Sequence, residues 1–143
     1  MEITEKFIHT GDIAISIKQY LLESNLPNLV FIHGYSSSKN TWDRVTSELS
    51  NFYNITTLDL RGMGRSGRFS DKFTYEVWIS DLIIVIEKLF NKKIILVGHS
   101  LGGWLATNIT SKRPDLVSEL ILVDPYTGAP NEISNKTKRI PSA

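Results

Sequence analysis

The sequence predicts an α/β domain built on a mostly parallel sheet with helices on both faces. Two observations carry that expectation. Strand-like and helix-like hydrophobic patterns alternate nearly end to end, and three of the strand-like runs hold four or five nearly consecutive apolar residues, the pattern of strands covered on both sides. With 143 residues, 41% apolar and 22% charged, the chain suits a single domain with a real core.

The elements follow in order. A first strand near residues 2–8 turns at Gly11 into D-I-A-I-S-I-K (12–18), whose isoleucines recur every second position as on a half-buried strand. Buried strands are then predicted over 28–34, 53–60, 93–98 and 118–124. Between them Trp42, Val45 and Leu49 recur at helical spacing, and so do Tyr75, Trp78, Leu82, Val85, Ile86 and Leu89 over four turns. Thr74 is placed to cap that long helix, and Pro114 with Asp115 marks the end of a third helix that starts after Ser100. From Pro125 onward the chain is polar and rich in turn formers, without a completed element. Residues 1–124 therefore read as the core, and 125–143 as a polar tail.

Charge and composition exclude several classes. Sixteen Lys and Arg against 15 Asp and Glu leave +1, which gives no electrostatic case for nucleic acid or an anionic membrane; Lys136, Lys138 and Arg139 in the tail read as solvated. The absence of cysteine removes disulfides, thiolate metal sites and a thiol nucleophile, and suits a cytoplasmic setting. The N-terminus lacks the pattern of a secretion signal, and the longest apolar runs, such as residues 82–86, fall far short of the roughly 20 needed to span a bilayer. No phosphate cradle or metal cluster stands out, so no cofactor and no metal are expected.

The chemistry concentrates in I-I-L-V-G-H-S-L-G-G (94–103). A strand entering Gly98 and a helix leaving through Gly102 and Gly103 put Ser100 at a sharp corner. Such a turn strains the serine backbone and requires small residues two before and two after it, hence G-x-S-x-G. The free N–H of Leu101 and the positive helix end then favour negative charge on an acyl tetrahedral intermediate. A second donor should come from the loop after another strand end; F-I-H-G-Y-S (31–36) supplies one, and the Tyr35 N–H is assigned. G-M-G-R-S-G (62–67) matches the dinucleotide fingerprint G-x-G-x-x-G, but its last glycine is not followed directly by a helix, and Glu87 falls mid-helix rather than at a strand end. Nucleotide binding is set aside.

Taken together, H-G-Y-S, D-L-R-G-M-G-R-S and G-H-S-L-G-G, in this order and spacing, resemble the α/β-hydrolase superfamily over residues 1 to about 125. The resemblance is to the serine branch, not to the epoxide hydrolases and haloalkane dehalogenases that use aspartate. It implies a strand order 1-2-4-3-5-6 with the second strand antiparallel, a hydrogen-bonded scaffold role for Asp59 and Arg61, a bracing role for His33 beside Gly34, and structural roles for Gly98, His99 and Gly102.

It also exposes a deficit. The family orders its triad Ser, acid, His, and no histidine follows Ser100; without a base a serine hydroxyl is a poor nucleophile. His9 belongs on an edge strand, His99 points away across the corner, and His33 is the nearest surrogate base. Asp124, ending the last strand, is the candidate acid. The expectation is thus a serine hydrolase, carboxylesterase-like, acting on a small-molecule ester or similar acyl substrate through Ser100. It would hold the N-terminal two thirds of the core, stop where a lid region starts, and be poorly active alone. The alternative is a non-catalytic relative that binds a ligand or a complementing C-terminal half; cofactor-free haloperoxidase chemistry is a minor one. An uncovered last strand would also promote self-association.

Overall fold

The computed structural model describes residues 1–68 and 74–128. Six strands form one sheet: β1 (Glu2–His9), β2 (Ala14–Leu21), β3 (Asn28–Ile32), β4 (Asn54–Leu58), β5 (Ile94–His99) and β6 (Val117–Val123). Their spatial order is β1-β2-β4-β3-β5-β6, as the resemblance implies. β2 is antiparallel to both β1 and β4, while β4, β3, β5 and β6 run parallel.

Helices cover both faces. A 3-10 turn (Lys39–Trp42) and α1 (Asp43–Leu49) lie on one, where Trp42 packs with Tyr20, Leu29, Phe31, Ile55 and Val97. The other face carries α2 (Tyr75–Leu89) and α3 (Leu101–Lys112). There Trp78, Leu82, Ile86, Leu105 and Ile109 close over Ile17, Val30, Ile32, Leu58 and Leu96. Each such fully buried side chain contributes roughly 1.5–3 kcal/mol through burial.

Local readings shift where tertiary contacts decide. The second strand starts at Ala14 rather than Asp12, because Thr10 N–H closes the turn on the Ile13 carbonyl, 3.0 Å, and the Asp12 carboxylate is taken by Arg61. It then runs on to Leu21, since β1 pairs with it along its whole length. Val45, placed on the inward face of α1 by spacing, is exposed; Thr46 and Ser50 face inward instead. Thr74 does occupy the N-cap position of α2, but its side chain makes no cap bond there and turns to Glu76.

β6 ends the sheet with no strand beyond it among the described residues. Ile121, Leu122 and Val123 remain 44%, 41% and 43% exposed, although Val97 and Gly98 on β5, the partners of the first two, are buried and His99, the partner of Val123, is half-buried. No helix among the described residues is long and apolar enough to cross a membrane. The basic side chains Lys136, Lys138 and Arg139, and most of the 125–143 tail, lie outside the described residues.

Candidate active site

Ser100 sits where β5 ends and α3 begins, with φ 53° and ψ −117°, a region L-residues rarely adopt. The surroundings leave no room for another path. A Cβ on Gly98 would lie 2.6 Å from the Gly102 carbonyl carbon and 2.7 Å from Gly103 Cα, and one on Gly102 would meet the carbonyls of Ile32 and His33. The corner is therefore wedged between its own helix and the end of β3. Ser100 N–H donates to the Val123 carbonyl, 3.1 Å, and the Ser100 carbonyl accepts from Gly103, Trp104 and Tyr126 N–H groups. Leu101 opens α3, so its N–H has no intrahelical acceptor.

The loop after β3 lies against this corner. A Cβ on Gly34 would stand 3.3 Å from both Ser100 Cβ and His99 Nδ1, which puts the Tyr35 peptide beside the serine. Ser37 N–H closes the turn on the Gly34 carbonyl, 3.3 Å, without using the Tyr35 amide, and Ser36 takes a positive φ of 56°.

His33 is fully buried and both ring nitrogens are engaged. Leu60 N–H donates to Nε2 at 3.0 Å, so Nδ1 carries the proton and donates to the Gly34 carbonyl at 2.7 Å. Burial pushes its imidazole below the ordinary histidine range, overriding the opposing pull of the Gly34 carbonyl and the Asp59 carboxylate. With both ring nitrogens engaged, His33 ties the loop after β3 to Leu60 and offers no free nitrogen toward Ser100, which weighs against the surrogate-base reading. His99, half-buried, lies edge-on to Trp42 at 6.4 Å. His9 ends β1, at the far edge of the sheet, and its carbonyl accepts from Lys88.

Asp124 follows β6 at the same sheet end as Ser100, since His99 pairs with Val123. It is exposed, with φ 45°, and is bracketed by the Val123 and Tyr126 backbone bonds to Ser100. Ser100, Leu101, Tyr35 and Asp124 thus meet at the carboxyl ends of the neighbouring strands β3, β5 and β6; His9 lies at the same end of the sheet but on its far edge, with β2, β4 and β3 between it and β5.

Asp59 and Arg61 are scaffold. Asp59, buried, accepts from Lys39 Nζ (2.8 Å) and from the backbone N–H of Lys39 (2.7 Å) and Arg65 (3.0 Å). Arg61 clamps Asp81 and Asp12, Thr10 Oγ1 donates to Asp81, and Trp78 Nε1 donates to the Arg61 carbonyl. In the 62–67 glycine loop, Arg65 N–H donates to Asp59 and Gly67 N–H to the Ala14 carbonyl, so these amides are occupied from within. Sequence reasoning missed Lys39: a lysine in S-S-S-K reads as solvated, yet it is 3% exposed. A groove of about 860 Å3 lined by Lys6, Gln19, Asn54 and Phe90 opens at the opposite end of the sheet, away from Ser100. Among the described residues no group of three or more histidines and carboxylates is set to hold a metal ion.

Comparison with known proteins bears on this geometry. A model of the alpha/beta hydrolase fold matches residues 27–141. A protein of Haemophilus influenzae classed as an esterase/lipase is 40% identical over 108 residues, 73% of this chain and 37% of its own length. The (lyso)-N-acylphosphatidylethanolamine lipase of Homo sapiens is 37% identical over 120 residues, 80% of this chain and 35% of its own. Among solved structures, the thioesterase domain from the curacin biosynthetic pathway superposes with a TM-score of 0.81 at 28% identity, over 99% of this chain and 53% of that one. The chain thus spans little more than a third of the length of these two relatives and about half of that structure.

Proposed function

The chain belongs to the alpha/beta hydrolase fold family, and from that premise we propose that Ser100 is the nucleophile of a serine hydrolase acting on an ester or similar acyl substrate. The observation that carries the reading is the strained backbone of Ser100, φ 53°, at the start of α3 and against Gly34. In the proposed reaction Ser100 Oγ attacks the acyl carbon as its proton passes to the base, the Leu101 and Tyr35 N–H groups hold the oxyanion, and the intermediate collapses to an acyl-serine as the bond to the leaving group breaks and the alcohol departs with that proton. Esterase and lipase relatives at 37–40% identity support acyl chemistry. With His33 occupied on both nitrogens, the proposed reaction takes its base from outside the described residues, from a further segment or from another chain. Asp124 is the acid candidate of the completed site.

Incubation with a p-nitrophenyl ester followed by intact-mass analysis tests this. The expected result is a slow, stoichiometric acyl adduct on Ser100 that persists, because deacylation needs the base. A chain that releases p-nitrophenol equally well as Ser100→Ala contradicts it.

A second reading is supported by the β6 edge, which no strand covers among the described residues: the chain serves as one half of a two-part assembly, bound along the partly exposed Ile121, Leu122 and Val123. Co-purification distinguishes it, since a complementing chain must bring strands and a histidine.

A further inference from the structure

We infer that Lys39 is a positioning residue of the acyl site: through Asp59 it fixes the far end of the loop that presents the Tyr35 amide to Ser100. The inference deepens the nucleophile reading above and rests on it for its catalytic consequence, but its structural part stands alone.

Residues 33–38 link β3 to the 3-10 turn, and they are pinned at both ends to neighbouring residues of one strand end. At the near end His33 Nε2 accepts from Leu60 N–H, 3.0 Å. At the far end Lys39 reaches Asp59 twice, through its backbone N–H to Oδ1 (2.7 Å) and through Nζ to Oδ2 (2.8 Å), while Nζ also donates to Ser16 Oγ at 3.0 Å. Ser66 Oγ donates to the Asp59 carbonyl and accepts from Ser16 N–H, tying the same knot to β2. Between the pins, Gly34 lies against Ser100, with Tyr35 next in the chain, and Ser36 is held at positive φ, a conformation that persists only when its neighbours over-determine it.

A buried ion pair is weak as a source of stability, because desolvation offsets most of its attraction. Its directional hydrogen bonds are what a hydrophobic pair could not supply. A loop whose one job is to aim a peptide N–H at a developing oxyanion gains from such fixing, because donors must be held to a fraction of an ångström.

The experiment measures 15N relaxation of the Gly34–Ser37 amides in the whole chain, and the labelling kinetics of Ser100 with an alkyl fluorophosphonate, for the wild type and for Lys39→Met and Lys39→Arg. In the wild type these amides have order parameters near the rigid backbone value of about 0.85; values below about 0.6 overturn the inference without any variant. In Lys39→Met, folded by its amide spectrum, the order parameters of Gly34–Ser37 fall. The limiting labelling rate drops about tenfold or more while the half-saturating probe concentration is retained, and Lys39→Arg restores part of both. Unchanged order and rate in folded Lys39→Met overturn the inference. If the wild type is not labelled on Ser100 at all, the nucleophile reading fails, and the relaxation comparison still decides whether Lys39 holds the loop.

Discussion

Ser100 and Val123 are joined by a hydrogen bond of 3.1 Å from the Ser100 N–H to the Val123 carbonyl, so the proposed nucleophile hangs partly from the last strand of the sheet. That strand is itself half-exposed. The corner is consequently set by three parties: its own glycines, the end of β3, and a strand with no other strand beyond it among the described residues. Each can be perturbed separately.

The serine backbone stores strain. Relieving it with Ser100→Gly should stabilise the chain by about 1 kcal/mol, the 1–3 kcal/mol of strain exceeding the roughly 0.5–1 kcal/mol entropic cost of glycine. Ser100→Ala, which keeps the Cβ, should leave stability within about 0.5 kcal/mol. Urea denaturation at neutral pH separates the two; a destabilising Ser100→Gly would contradict the strain.

Gly98→Ala and Gly102→Ala push a methyl into backbone atoms that cannot yield. Each should destabilise by about 1–3 kcal/mol or more, read as a lower urea midpoint. Gly11→Ala is the contrast, since a Cβ there meets nothing within 4 Å and the strain of φ 106° is all it faces.

The fold was legible in the sequence because buried parallel strands and amphipathic helices leave strong periodic signals, as at 94–97 and 75–89. The elbow was legible because its steric demands select glycine on both sides of the serine. Polar interior contacts were not. Lys39 and Thr46 are buried and Val45 exposed because Asp59 and the packing of Trp42 select the inward face, and no single-residue property announces that. The Thr74 hydroxyl turned to the Glu76 carboxylate, to which it donates, instead of accepting from a free N–H at the helix start, a choice between two local partners that sequence spacing leaves open.

His33 makes folding depend on pH. Its folded imidazole is held below the ordinary value of 6.5 by burial, so on acidification the unfolded chain takes up a proton before the folded one does. Stability is therefore full above about pH 6.5 and falls as pH drops through and below it, with a slope of at most about 1.4 kcal/mol per pH unit for one proton. Denaturation midpoints between pH 7.5 and 5 should show this loss, and His33→Gln should flatten it. An equal slope in the variant assigns the loss elsewhere.

The exposed aliphatics of β6 should make the chain associate in a concentration-dependent way. Sedimentation velocity across a hundredfold concentration range is expected to show this, and Ile121→Lys to reduce it. A monomer at all concentrations, with a cooperative melt, would count against an incomplete sheet.

The most direct test is fluorophosphonate labelling of the whole chain with the adduct located by peptide mass mapping. The account predicts slow labelling on Ser100, absent in Ser100→Ala. An adduct on another residue, or labelling that survives Ser100→Ala, would contradict the account.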